Sequence, residues 1–263
     1  MDDSYQTYIN RVARLTLPEA YKSQAQHTHT SPKFQRSSTS AAYEAIAFPG
    51  YSVITPPWVE ETENQAFYEH LGTFQKQLVE TLSPDVLIPL PPDSFHMTLA
   101  DLIWDSSYRH ADENPDFQTK LRDRIQQSFE QCRGKVHIGQ PSYWQIMGLV
   151  LMPRALGVCL APKDEDSYNR LLHLRRAIYQ QPELFALGVE QQYHFTAHIT
   201  LGYFGEGMAQ LDRDAFSETI NALNLSWLDL EMRQPFLVHR AELRKFDDMT
   251  RYYREPDWPA LSF

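Results

Sequence analysis

The chain has 263 residues, 42% of them hydrophobic and 13% aromatic, enough for one large domain or two small ones with a substantial core. Its 34 Asp+Glu outweigh 24 Lys+Arg, a formal net charge of −10. That balance argues against long, sequence-independent nucleic-acid binding, which draws on phosphate contacts and counterion release, but a small phosphorylated ligand or one RNA end needs only a local positive patch.

The mean hydropathy of −0.49 is that of a soluble chain. Its longest apolar run, around Ile146 to Met152, is too short to span a bilayer. The start, Met1-Asp2-Asp3, has no charged-then-apolar signal pattern. Cys132 and Cys159 are the only cysteines, so no disulfide framework is implied and a reducing, cytoplasmic setting is expected.

In chain order, Tyr5, Tyr8, Ile9, Val12 and Leu15 recur at helical spacing until Pro18 interrupts. Residues 22–41, rich in Gln, Ser, Thr and His, read as a polar connector over the surface. Residues 1–41 are thus expected to form an N-terminal helix and connector, and 42–263 a single domain. His27 and His29 lack a third ligand nearby and read as a solvated loop.

Ala45 to Ile54 is strand-like. Thr62 to Thr81 is helical, with Phe67, Leu71, Phe74 and Leu78 on one face, Thr62 as its cap and Gly72 as a weak point. Val86 to Leu90 and Phe95 to Leu102 read as strands around Pro91-Pro92. A helix follows from Asp116 to Cys132, ending near Gly134. Val136 to Ile138, Tyr143 to Met152 and Ala155 to Leu160 are predicted strands, the last two joined tightly by Pro153-Arg154. Asp166 to Tyr179 is a Leu-rich helix in which His173 reads as a surface residue. Then come a strand from Phe195 to Phe204, a short helix from Arg213 to Leu223, and strands from Leu225 to Glu231 and Phe236 to Phe246. Interspersed helices and strands with hairpin-like joins argue an α+β fold with antiparallel sheets.

One short string occurs twice. Residues 96–99 read H-M-T-L and residues 198–201 read H-I-T-L, each in an apolar, alternating stretch. Side chains alternate between strand faces, so His96 shares a face with Thr98, and His198 with Thr200. On a regular strand Gly202 and Phe204 would follow on the His198 face. Two such copies by chance are rarer than about one in a thousand chains of this length.

Through these residues the chain resembles the 2H phosphoesterase superfamily, whose signature is a repeated H-x-T on two strands. The superfamily includes 2′-5′ RNA ligases, 2′,3′-cyclic nucleotide phosphodiesterases and ADP-ribose cyclic phosphodiesterases. The element order from about Ala45 to Phe246 is compatible with it, and a leader of about forty residues exceeds its compact members. The resemblance implies a two-lobed, pseudo-twofold pair of antiparallel sheets with flanking helices, whose central cleft brings both H-x-T strands together. It specifies no substrate.

Phosphoester cleavage must generate a nucleophile, protonate a leaving oxygen and stabilise charge on the phosphoryl group. An unperturbed imidazole titrates near neutrality, so one of His96 and His198 can accept a proton while the other donates one. The order is open at this point. Thr98 and Thr200 would donate hydrogen bonds to non-bridging oxygens. The expected activity is a cofactor-free, metal-independent phosphodiesterase acting on a 2′,3′-cyclic phosphate or 2′-linked phosphodiester of a nucleotide or RNA end. Two alternatives stand beside it: a non-catalytic nucleotide or RNA-end binding module, and a metal-dependent hydrolase using His194 and His198. The string from His194 to His198 lacks the Glu of H-E-x-x-H. Neither a phosphate-cradling Gly-rich loop nor a G-x-S-x-G elbow occurs. Tyr203 and Phe204 could wall the ligand site. Tyr252 and Tyr253 lie between Arg251 and Arg254, and Arg251 with Tyr253 could bind phosphate and stack on a base.

Overall fold

The computed structural model describes residues 2–40, 42–134, 139–228 and 234–263. Helices α1 (Tyr5–Leu15) and α2 (Pro18–Ala25) open the chain, and Pro18 sits where its missing N–H is harmless, in a first helical turn. Strands β1 (Phe34–Arg36) and β2 (Tyr43–Ala45) pair as a small ribbon. There follow β3 (Gly50–Ile54), α3 (Gln65–Leu82), β4 (Leu87–Pro89), β5 (Thr98–Trp104), α4 (Asp105–Ala111) and α5 (Phe117–Arg133). The second half holds β6 (Ser142–Met152), β7 (Ala155–Pro162), α6 (Glu165–Tyr179), α7 (Pro182–Phe185), β8 (His198–Phe204) and α8 (Arg213–Leu228). It ends with β9 (Phe236–Val238), β10 (Arg240–Phe246), β11 (Tyr252–Tyr253) and β12 (Ala260–Ser262).

The fold is mixed α+β, with two antiparallel sheets and flanking helices. One sheet runs β11–β10–β3–β5, with β12 also along β10. The other runs β4–β8–β7–β6–β9. Thus β5 and β8, the two H-x-T strands, belong to different sheets. The chain crosses from one sheet to the other at His239, between β9 and β10. Its Nε2 meets the buried Glu61 carboxylate at 2.9 Å, so the stretch predicted as one strand from Phe236 to Phe246 is broken into two. That carboxylate holds the His239 pKa above its ordinary value.

The helices flank the sheets through their apolar faces. On α3, Phe67 packs against Phe236 of β9, and Phe74 stacks flat on Trp227 of α8 at 4.2 Å. Helices α1 and α2 lie on β6 and β7, where the buried Tyr8 and Tyr21 donate hydroxyl hydrogen bonds to Leu160 O and Leu149 O. Each such side chain contributes roughly 1.5–3 kcal/mol of burial, offset by the entropy of ordering it. The stretch 22–41 therefore departs from a polar surface connector: it includes the end of α2 and all of β1.

Two further expectations shift. Helix α3 begins at Gln65 rather than Thr62, because the Glu61 carboxylate accepts the amide N–H groups of Thr62 and Glu63 and holds them in a turn. Residues Leu225 to Leu228 continue α8 instead of opening a strand. Phe216, Ile220, Leu223 and Trp227 are buried on one face, a helical period that carries on through this segment. The rest of that predicted strand, and Val136 to Ile138, lie outside the described residues.

Candidate active site

Both H-x-T strands are bulged directly after the Thr. In β5, Ile54 pairs with Thr98 and Val53 with Ala100, so Leu99 is an extra residue; a second shift skips Leu102. In β8, Gly157 pairs with Thr200 and Leu156 with Gly202, so Leu201 is extra. A bulge inserts one unpaired residue and moves the following side chains to the opposite face. The cleft side of β5 is therefore Thr98, Asp101 and Trp104, and that of β8 is His198, Thr200 and Tyr203. The carbonyl of each bulged Leu is caught by a buried side chain. Arg175 Nη1 of α6 donates to Leu99 O at 2.6 Å, and Gln75 Nε2 of α3 donates to Leu201 O at 2.7 Å. Gly202 permits β4 to lie against β8: a Cβ there would stand 2.6 Å from Ile88 O.

The two imidazoles are held alike. His96 Nδ1 meets Ser94 O at 2.7 Å, and His198 Nδ1 meets Thr196 O at 2.7 Å, the carbonyl two residues upstream in each case. A carbonyl only accepts, so each Nδ1 carries the proton. In a neutral ring this leaves the lone pair on Nε2, the nitrogen free to exchange a proton. Different elements brace the two carbonyl segments. Ser94 closes a 3₁₀ turn with its hydroxyl on Pro91 O at 2.7 Å. Thr196 is held by Arg11 of α1, whose Nη1 donates to Thr196 Oγ1 at 2.7 Å and whose Nη2 donates to Phe195 O.

Their surroundings differ. The Tyr252 ring lies 4.2 Å from the His96 ring. Behind it the buried Arg244 donates to Tyr252 O and pairs with Glu60 at 2.6 Å and with Glu242. Burial first, then the charges of Arg244 and His198, lower the His96 pKa to about 4 against the raising effect of its Ser94 hydrogen bond. His96 is therefore neutral at pH 7.

The four motif residues line a single cleft of about 780 Å³, a size suited to a small ligand. Aromatic walls come from Phe48, Trp104, Tyr193, Tyr203 and Tyr252. Asp101 accepts hydrogen bonds from Tyr193 OH and, at 3.4 Å, from Ser52 Oγ. The N-terminal segment adds His29 and Lys33, and the β6–β7 turn adds Arg154. The Lys33 ammonium sits 3.2 Å from Met249 Sδ, 3.4 Å from Tyr203 OH and 4.3 Å from the centre of the Phe48 ring. Burial lowers its pKa to about 8. The sequence analysis read His29 as part of a solvated loop and passed over Lys33, because a lone Lys or His in a polar segment carries no periodic signal.

Of the other predicted site residues, Tyr203 lines the cleft and three do not. Phe204 is buried against Phe216 on the opposite face, because the bulge at Leu201 reverses the alternation expected of a regular strand. Tyr253 points its hydroxyl at Asp247, and Arg251 lies over the Tyr253 ring, both off the cleft lining. His194 lines the cleft but is engaged at 3.3 Å by Asp3, which also pairs with Arg11. Residues 191–197 precede β8, so His194 and His198 are not ranked on one strand face. Among the described residues, no three His, Cys, Asp or Glu side chains converge as metal ligands, and no helix is long and apolar enough to cross a membrane.

No family model matches this sequence, and no curated protein matches it. Among solved structures, a conserved protein of unknown function, ATU0111 from Agrobacterium tumefaciens str. C58, is similar with a TM-score of 0.53 at 14% identity, covering 86% of this chain and 90% of that one. E. coli LigT in apo form matches with a TM-score of 0.43 at 15% identity, covering 83% of this chain and 100% of that one. A structure described as a phosphoesterase matches at 0.40 and 15%, covering 81% and 98%. The first likeness shows a shared fold and nothing about chemistry; the other two superpose too loosely to add to it.

Proposed function

We propose that this chain is a phosphodiesterase that hydrolyses a 2′,3′-cyclic phosphate, or a 2′-linked phosphodiester, of a nucleotide or RNA end, with His96 and His198 as base and acid. One observation carries the reading: a doubled unit, an Nδ1-anchored imidazole with a Thr two residues on, His198 and Thr200 on β8 and His96 immediately before Thr98 of β5, delivered by two sheets to one cleft. His96, neutral and low in pKa, is the ring ready to accept a proton.

The reaction balances simply. A water oxygen attacks phosphorus while its proton passes to His96 Nε2. The P–O bond to the ribose oxygen breaks as His198 Nε2–H protonates that oxygen. The products are a phosphomonoester and a ribose hydroxyl, and solvent returns the two imidazoles to their starting states. In-line attack needs the nucleophile and leaving group on opposite sides of phosphorus, which suits one imidazole from each sheet. Thr98 and Thr200 hydroxyls donate to the non-bridging oxygens, most strongly as charge builds.

The test is a turnover screen of 2′,3′-cyclic nucleotides, ADP-ribose cyclic phosphate and 2′-5′-linked dinucleotides, with and without a strong chelator, and with His96→Ala as control. Turnover that survives the chelator and is lost in the variant is the expected result. Tight binding with no turnover of any member would make the chain a nucleotide-binding module instead. Loss on chelation with rescue by Zn²⁺ would move the chemistry to a metal site.

A further inference from the structure

We propose that Lys33, with Arg154, forms a second anion subsite in the cleft, so that the ligand carries a phosphate besides the reacting one. The inference rests on the phosphodiester reading of the same cleft. Lys33 is half-buried, and its ammonium faces a sulfur, a phenol and two aromatic rings rather than a carboxylate. Among the described residues, neither Lys33 nor Arg154 has an ion-pair partner within 4.0 Å. Both line the cleft, and Arg154 is close enough for its charge to oppose that of Lys33. Asp101 and Asp105 attract Lys33 at longer range. The Asp101 carboxylate is already engaged by Tyr193 and Ser52.

A half-buried cation is costly unless an opposite charge accompanies it, and a second cation beside it adds repulsion to that cost. A ligand phosphate between Lys33 and Arg154 would relieve both, with charge-assisted hydrogen bonds in a partly desolvated site. This phosphate is distinct from the reacting one. The contacts that lead from His96 to Lys33 pass through two intermediaries, the Tyr252 ring, 4.2 Å from His96, and Met249, whose sulfur lies 3.8 Å from Tyr252 OH and 3.2 Å from Lys33 Nζ. The flanking Phe48 and Tyr203 rings give the body of a nucleoside an apolar bed between the two anions. The chemistry that fits is a nucleoside with phosphate at both ends of its ribose: a 5′-phosphate at Lys33 and the 2′/3′ phosphate at the threonines.

The formal charge of −10 makes the control informative. Without a local cation, the protein's field would weaken binding as phosphate is added to the ligand. Calorimetry on the full chain compares a nucleoside 3′,5′-bisphosphate with the 3′-monophosphate, and the 2′,5′-bisphosphate with the 2′-monophosphate, at about 0.15 M salt. The expected result is tighter binding of the bisphosphate by about tenfold or more in at least one series, the scale of one charge-assisted bond. Lys33→Gln should bring that ratio close to one, and Lys33→Arg should keep most of it. No preference in the natural protein overturns the proposal. So does a Lys33→Gln variant that weakens both ligands equally, which would place the ammonium on the reacting phosphate. Should Lys33→Gln not fold, Arg154→Gln on its exposed side chain takes its place: a lowered ratio supports the subsite and an unchanged ratio overturns it. These ligands are products, so the ratio is read without turnover. A failed turnover screen would sink the reaction and leave the subsite standing.

Discussion

The strands that begin at Thr98 and His198 are built to one plan and set in two environments. In both, the imidazole Nδ1 is tied to the carbonyl two residues back, the next residue but one is a Thr, and the Leu after it is a bulge whose carbonyl a buried side chain catches. Yet β5 is the edge of its sheet, while β8 lies between β4 and β7. His96 is covered by Tyr252 and sits in the field of Arg244; the segment before His198 is tied to Arg11 of the N-terminal helix. Beyond the bulge, β5 presents the acidic Asp101 and β8 presents Tyr203 with Lys33 above it. The shared plan brings two imidazole–threonine pairs to one cleft. The unlike surroundings lower the pKa of His96 and give the cleft two unlike ends.

The largest test of the shared plan removes its imidazoles. His96→Ala and His198→Ala should each lower turnover by about 10²–10⁴-fold, the usual worth of a general acid or base. The double variant should lose less than the product of the two, since the rings act as a unit. Steady-state kinetics with circular dichroism on each variant checks this. Near-normal turnover in either single variant would end the two-histidine mechanism.

The threonines come next. Thr98→Val and Thr200→Val keep the branched shape and remove the donor. Each should lower kcat by roughly 10–10³-fold with a smaller change in KM, because the hydrogen bond tightens as charge builds on phosphorus. A loss confined to KM would make the hydroxyls ground-state ligands only.

The motif strands were legible up to the Thr and not beyond. His96 and Thr98, like His198 and Thr200, turn to the cleft as period-two alternation expects, although the strand expected from Phe95 begins only at Thr98 and His96 lies just before it. A bulge has no such signature here: Leu99 and Leu201 are the apolar residues a regular strand would also place there. Phe204 was therefore expected in the cleft, where Tyr203 stands instead. The helical continuation through Trp227 was legible in principle, since its spacing from Leu223 and Ile220 is regular, but the β-like composition of the segment hid it. The crossing at His239 depends on Glu61, far away in sequence, and the approach of Lys33 depends on how the N-terminal segment folds back over β8. Neither is a local property, so neither leaves a local trace.

Removing the side chains that catch the bulge carbonyls tests whether the bulges are built in or incidental. Gln75→Leu leaves the buried carbonyls of Leu90 and Leu201 without that donor. The expected loss is on the order of 1–3 kcal/mol in denaturant-derived stability. Arg175→Met removes a charged donor from Leu99 O together with its stacking on Phe195, 4.5 Å away. In the folded fraction of each variant, kcat should fall several-fold as the adjacent Thr loses its register. Full stability and full kcat together would show that the bulges stand without these two residues.

The subtlest test concerns the difference between the strands. In kcat/KM the titrating groups are those of the free enzyme. With His96 as base and its pKa lowered to about 4, kcat/KM should rise with pH through that value, hold a plateau, and fall again when the proton donor is deprotonated. The opposite assignment has the opposite sign: a His96 that had to be protonated in the free enzyme would leave little kcat/KM at neutral pH. Tyr252→Leu should open the imidazole to water and move the acid limb up toward the ordinary value near 6.5. A shift of two pH units would take His96 from mostly neutral to mostly protonated at pH 5, so the variant should lose roughly tenfold more activity at pH 5 than at pH 7.5. A parallel loss at both pH values would show that the ring positions ligand without tuning His96. An acid limb that stays near 4 with His96→Ala already inactive would show that burial by Tyr252 is not what depresses the base, and would shift that role to the charge of Arg244.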